Sequence, residues 1–210
     1  MYTLYYSPGL ASFVPHCVLR HIGAPHTLVL VDRKRDEHRT EAFLKLNPNA
    51  RLPVLVEDGV PLFETAAICM HLADRHPEAR LLPAPGSRER AVAYQWITYL
   101  TNSFQADFWQ YFRPEFYVPE SDFERFRGVL AERCATYLGI LDNALEGRTY
   151  LAGDTVSVAD FYLFLMGRWS RRMDKPARDF PNLARFMAMM ATVPAVEEAI
   201  RIENLDQPLY

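Results

Sequence analysis

The sequence predicts two domains, a small mixed α/β domain with the order βαβαββα followed by an all-α helical bundle. Three observations carry this. β-rich runs are confined to the first 63 residues, a Pro-, Gly- and Ser-rich stretch "LLPAPGSR" interrupts the chain at 81–88, and the periodic segments beyond it have helical spacing. The expected boundaries are 1–80 for the first domain, 81–88 for the linker and 89–210 for the helical domain.

"YTLYY" (2–6) and "HTLVLV" (26–31) read as strands, and the segment between them has the length and pattern of a helix. The charged amphipathic piece "RDEHRTEAFLKL" follows. "LPVLVEDGVPLFE" then supplies two strands around Asp58-Gly59, a hairpin turn pair, and "ETAAICMHLADRHP" closes the domain as a helix stopped before Pro77. Beyond the linker, "RERAVAYQWITYLTNSFQADFWQYF", "DFERFRGVLAERCATYLGILDNALEG" and "NLARFMAMMATVP" place apolar residues at helical spacing. "TVSVADFYLFLMGRW" is apolar nearly all round and should run through the domain core. Its Ser157 and Asp160 form a capping box, which makes Asp160 a structural acid.

Composition narrows the function. Half of the 210 residues are apolar and 23% are charged, as in a globular protein with a sizeable core. A net charge of −3 recommends neither nucleic acid nor an anionic membrane as partner, and no apolar run approaches the ~20 residues of a spanning helix. The start of the chain runs into a strand without a charged leader, so a cytoplasmic protein is expected. Cys17, Cys69 and Cys134 lack C-x-x-C spacing and read as buried structural thiols. No metal site is expected: His16 and His21, and His71 and His76, are each five apart, and H-E-x-x-H is absent. The nine glycines are scattered, so no phosphate loop is present either.

One stretch invites chemistry. In "YYSPGLASFVPH" (5–16) a strand ends, a Pro-Gly turn follows, and a helix begins within a few residues, which aims a helix N-terminus at an anion or thiolate. Proline is tolerated only in the first helical turn, so Pro15 places the start near 11–14 and Ser12 at its mouth. The Ser12 hydroxyl can donate to a thiolate or simply cap the helix. Ser7 is the second candidate donor. Tyr5 and Tyr6 alternate along one strand, so at most one of them faces such a site.

Taken together, these segments resemble a cytosolic glutathione S-transferase, with a thioredoxin-like half, a Pro-rich linker and an all-helical half opened by an aromatic helix. "NPNARLPVL" resembles the family segment in which a cis proline, here Pro53, lets the preceding residue, here Leu52, offer its backbone to the cysteinyl part of glutathione. "FETAAI" resembles the pair, here Glu64-Thr65, that holds the γ-glutamyl end, and "SVAD" resembles the family capping motif. The nearest pattern is that of the bacterial beta class, whose opening is similar to "LYYSPGLASFVPHCVLR" and whose later segment is similar to "WITYLTNSFQADFWQYFRPE".

The resemblance implies a transferase that binds glutathione and activates its thiol to attack a small hydrophobic electrophile or peroxide. Two departures qualify it. The beta-class cysteine falls on Ala11, and the acid, histidine and lysine of the helical domain fall on Ser103, Gln105 and Ala106. Mixed-disulfide chemistry is therefore not expected. Activation instead requires a donor: lowering a thiol pKa of about 8.5 by two units takes about 2.7 kcal/mol, more than an exposed helix dipole supplies. Ser12, Ser7 and Tyr6 are the candidates by resemblance and position, and His16 falls where the class also has a histidine. Arg51, or the run Arg33-Lys34-Arg35, is a candidate for the glycine end. Phe104, Phe108, Trp109, Phe112 and Trp169 form either an apolar substrate pocket, the core or a dimer contact. By resemblance a homodimer is expected. A glutathione or ligand carrier with little turnover, and an interaction module that uses the fold without glutathione, are the competing functions.

Overall fold

A computed structural model describes all 210 residues, and the chain divides into two compact units, Met1–Leu82 with Thr192–Asp206, and Pro83–Ala191 with Gln207–Tyr210.

In the first unit the elements are β1 (Tyr2–Tyr6), α1 (Phe13–Ile22), β2 (His26–Leu30), α2 (Glu41–Leu44), β3 (Val54–Glu57), β4 (Val60–Phe63) and α3 (Thr65–Arg75), the βαβαββα order that the strand and helix patterns predict. The four strands lie in the order β2-β1-β3-β4. β1 is parallel to β2 and antiparallel to β3, which pairs antiparallel with β4. Asp58 (φ 49) and Gly59 (φ 85) both take the left-handed conformation that a tight two-residue hairpin turn demands. Leu4 of β1, Phe13, Val14, Cys17 and Val18 of α1, and Ile68, Cys69 and Leu72 of α3 are wholly buried and form the apolar layer between sheet and helices. A second cluster, Val31, Phe43 and Val54, covers the other side with Tyr5, Leu46 and Leu52 against it. Pro15 is the third residue of α1, where its missing N–H costs no helical bond.

The first unit also holds a helix from the far end of the chain. Residues Pro194–Ile202 form the last helix of the protein, which is amphipathic and packs against α1. No local sequence signal announces that association, which joins elements near opposite ends of the chain.

The second unit is helical throughout: α4 (Arg88–Tyr99), α5 (Ala106–Phe112), α6 (Phe123–Ala144), α7 (Val158–Ser170) and α8 (Pro181–Ala191), which makes α9 of the helix at 194–202. Between α4 and α5 the chain makes a π-helical turn at Leu100–Gln105. As its sequence predicts, α7 is buried on nearly every face. The capping box at its head is formed, and Asp160, fully buried, accepts the N–H groups of Ser157 at 2.8 Å and Leu151 at 2.9 Å. Burial nevertheless pushes the Asp160 carboxyl up to about 6, despite these donors. A second acid does comparable work without a sequence signal. Asp142 of α6 accepts the first N–H groups of α8, from Asn182 at 2.7 Å and Leu183 at 2.8 Å.

Candidate functional site

Strand register gathers three of the predicted segments at one end of the sheet. Val54 is opposite both Tyr5 and Phe63, and Tyr6 is opposite Leu30. The chain therefore leaves the same sheet end after Tyr6, toward Ser7 and Ser12, and after Phe63, toward Glu64 and Thr65. It enters there through Arg51, Leu52 and Pro53. Helices α1 and α3 both begin at this end, so the positive ends of both helix dipoles favour negative charge there, although in α1 the Phe13 and Val14 N–H groups are already taken by the Leu10 and Ala11 carbonyls and Pro15 has none.

The loop from Ser7 to Ser12 is tightly tied. Gly9 has φ 69, a conformation that a side chain would strain, and Leu10 N–H donates to the Ser7 carbonyl at 3.3 Å. Ser12 is wholly buried. Its Oγ accepts the Ser7 N–H at 3.2 Å and donates to the Ser7 carbonyl at 3.1 Å; a carbonyl only accepts, so the one hydroxyl hydrogen is committed. Ser12 makes no side-chain cap to α1. Neither expected use of that hydroxyl, donor to a sulfur or helix cap, matches this arrangement, because the loop itself takes both of its hydrogen-bonding functions. Ser7 is only half-buried at the end of the strand, and Ala11 keeps its methyl group nearly buried where the beta-class cysteine would stand. Tyr6 and Tyr5 do take opposite faces. Tyr5 meets Phe43 edge-on at 6.2 Å, and Tyr6 lies against the His16 ring at the same separation. Burial, with Glu203 nearby, raises the Tyr6 phenol above its ordinary value.

The entering segment is braced by Asn47, which is buried and donates from Nδ2 to the Arg51 carbonyl at 2.8 Å while its Oδ1 accepts the Asn49 N–H at 3.0 Å. The Leu52-Pro53 bond is cis, as the resemblance implies, with Pro53 buried and the Arg51 side chain exposed. At the head of α3, Glu64 sits at φ 74, ψ 115, a region that costs a non-glycine residue about 1 to 3 kcal/mol. Its carbonyl accepts the Ile68 N–H at 3.0 Å, its side chain is exposed, and Thr65 beside it is 5% exposed. The Arg33-Lys34-Arg35 run forms a single short helical turn capped by Asp32, whose Oδ1 accepts the Lys34 N–H at 2.8 Å.

In the second unit the five aromatic candidates separate. Phe104 and Phe108 are wholly buried and stack on each other at 4.6 Å, which makes them packing residues. Phe112 is 47% exposed, and it and Phe108 both meet Trp169 edge-on. Trp109 instead lies parallel to Phe116, with Arg113 against both rings. Ser103 and Gln105 lie in the π-helical turn and Ala106 just after it, and Gln105 accepts a hydrogen bond from the Tyr162 hydroxyl.

No protein thiol is available to replace the missing cysteine. Cys17 and Cys69 are fully buried, and burial pushes both well above the ordinary thiol range; Cys134 is pushed up to about 12 by burial and the Asp107 charge. No group of three or more His, Cys, Asp or Glu side chains is arranged to hold a metal ion, and no helix is long and apolar enough to cross a membrane.

Comparison with known proteins gives this arrangement its context. The family model for the glutathione S-transferase N-terminal domain matches residues 1–74, and that for the C-terminal domain matches 107–194. The glutathione S-transferase GstA of Escherichia coli O157:H7 is 33% identical over 205 residues, covering 96% of this chain and 98% of its own. The chain belongs to the glutathione S-transferase family. Among solved structures, a sphingomonad glutathione S-transferase complexed with glutathione is 34% identical with a TM-score of 0.85, covering 97% of this chain and 100% of that one. A beta-class glutathione S-transferase from Sphingomonas chungbukensis is 33% identical with a TM-score of 0.84 and the same coverage. The glutathione S-transferase fold and the likeness to the bacterial beta class thus extend over both units.

The sequence reading did not single out Glu203. It is 2% exposed, accepts the Gly9 N–H at 2.8 Å and pairs with His16 Nδ1 at 2.8 Å. No local pattern marks it, since its partners are 194 and 187 residues away.

Proposed function

We propose that the chain is a glutathione transferase in which the sheet end bearing Ser7, Leu52 and Glu64 binds glutathione, and that activation uses a hydroxyl of the protein in place of a protein thiol. The register that converges these three segments on one sheet end carries the reading. Membership in the family, and the glutathione held by a relative 34% identical, support it. In this assignment the Leu52 backbone pairs with the cysteinyl unit as an added strand. The Glu64 carboxylate accepts the γ-glutamyl ammonium, and Thr65 with the α3 N-terminus receives the α-carboxylate. Arg51 serves the glycine carboxylate.

Ser7 is the donor to the thiolate, with Ser12 fixing its backbone and Tyr6 alongside. A directed hydroxyl supplies a charge-assisted bond that the exposed helix end alone does not match. The thiolate so formed attacks a small hydrophobic electrophile, or a peroxide; of the aromatic candidates in the second unit, Phe112 with Trp169, and separately Trp109, are those left open to such a substrate, while Phe104 and Phe108 are packing residues. The enzyme works as a homodimer.

The test is conjugation of glutathione to a reactive aromatic halide, followed by chromatography of the product. Turnover above the uncatalysed rate, saturable in glutathione, is the expected result. Saturable binding without turnover would convert the reading to a glutathione carrier, and absence of binding at millimolar glutathione would remove it.

A further inference from the structure

The loop that opens α1 is held by an acid from the other end of the chain. Glu203, immediately after α9, divides its carboxylate between two partners: Oε2 accepts the Gly9 N–H at 2.8 Å, and Oε1 accepts from His16 Nδ1 at 2.8 Å. Both side chains of the His16–Glu203 pair are 0% exposed, so that bond does not compete with water, while the Gly9 bond is partly buried. Gly9 lies inside the Ser7–Ser12 loop and His16 lies on the helix that the loop starts, so one carboxylate fixes loop against helix. His16 Nε2 is buried without a hydrogen-bond partner, which leaves Glu203 as the hydrogen-bonding hold on that ring. A buried charge with both oxygens engaged is costly to assemble, and simple docking of α9 does not require it, because Glu198 already pairs with Arg20 of α1 from the helix surface.

We infer that Glu203 is a positioning residue for thiol activation: by bridging Gly9 and His16 it sets the loop so that the Ser7 hydroxyl and the head of α1 converge on one point. This rests on the transferase reading above. Misplacement of a donor by a fraction of an ångström weakens a directed bond without removing the binding surface.

The experiment uses the full chain and measures the ultraviolet thiolate absorbance of bound glutathione against pH in wild type, Glu203→Gln and Glu198→Gln, with KM and kcat for the aromatic halide and the urea midpoint of each. A glutamine at 203 keeps an acceptor for the Gly9 N–H but turns a donor toward His16 Nδ1, so the His16 bond is kept only by the other imidazole tautomer and without the carboxylate's charge. In Glu203→Gln the thiol pKa is expected to rise by about one unit, with kcat/KM about threefold lower at neutral pH, as the thiolate fraction falls, and recovering at high pH. KM for glutathione is expected to stay within about twofold of wild type. Glu198→Gln is expected to leave the thiol pKa in place, whatever it does to the urea midpoint. A lowered midpoint with an unmoved thiol pKa in Glu203→Gln overturns the inference, as does an equal shift in Glu198→Gln. Should Glu203→Gln fail to fold, Glu203→Asp, a methylene shorter, is expected to raise the thiol pKa by about half a unit, and no shift overturns the inference. A wild-type protein with no thiolate signal overturns the transferase reading itself, before any variant is compared.

Discussion

The Ser12 hydroxyl closes a two-way bond with the Ser7 backbone, accepting its N–H at 3.2 Å and donating to its carbonyl at 3.1 Å. The two serines of the loop therefore have different tasks. Ser12 →Ala removes both bonds from a wholly buried site and leaves the Ser7 N–H without its acceptor, so it is expected to destabilise the protein by about 1 to 3 kcal/mol. Ser7→Ala removes a half-buried hydroxyl and should change stability by less than about 0.5 kcal/mol. Urea unfolding of the two variants checks the division, and equal losses would contradict it.

Glu64 combines backbone strain with its proposed contact to the γ-glutamyl ammonium. Glycine accepts φ 74 without penalty, so Glu64→Gly is expected to hold or raise the unfolding midpoint while weakening glutathione binding about 10- to 100-fold, the loss of one charge-assisted bond. Calorimetric titration and thermal unfolding of the same preparation read both effects. Binding that survives unchanged would remove Glu64 from the site.

Asp160 should give stability a pH dependence of its own. Its folded value of about 6 lies above its ordinary 3.8, so the unfolded chain ionises first. Its contribution is therefore fully present below about pH 4 and lost as pH rises through about 6. A separation of about two units corresponds to about 3 kcal/mol. The wild-type urea midpoint should carry this downward slope between pH 4 and 6, and Asp160→Asn should lack it. Asp160→Ala, which strips the acceptors from the Ser157 and Leu151 amides, is expected to lose about 3 kcal/mol or more.

The aromatic candidates are separable by truncation. Phe108→Ala opens a cavity beneath a stacked, wholly buried ring and should cost about 3 to 5 kcal/mol. Phe112, 47% exposed, should cost about 1 kcal/mol or less as alanine, while raising KM for the halide. A Phe112→Ala enzyme with unchanged KM would place the electrophile elsewhere.

Alkylation tests the absence of a working protein thiol. The three cysteines are buried, and burial holds their thiols protonated at neutral pH, so native protein should resist iodoacetamide until denatured. Rapid modification of one cysteine in native protein would reopen mixed-disulfide chemistry.

The parts legible in the sequence were those with local signals. Strand alternation, the Asp58-Gly59 turn, Pro15 in the first helical turn and the Ser157–Asp160 box each reflect interactions within a few residues, and the structure contains all of them. Glu64 could be placed at the head of α3, but its φ of 74 could not, because a non-glycine side chain gives no notice of strain. Ser12 shows the same limit. Helix position suggested a free or capping hydroxyl, whereas the turn from Ser7 folds the backbone onto it. Asp142 lies within α6 and Glu203 just past the end of α9, neither in a distinctive local pattern, and only tertiary folding brings Gly9, His16 and the α8 N-terminus to them.

The measurement that bears most directly on the central claim is the thiol pKa of glutathione bound to wild type and to Ser7→Ala, read from the thiolate absorbance across pH after calorimetry has established saturation. A wild-type value lowered by about two units from that of the free thiol, rising by about one to two units in Ser7→Ala, is the predicted result. A bound thiol that titrates like free glutathione, or one whose lowered value is indifferent to Ser7, would contradict it.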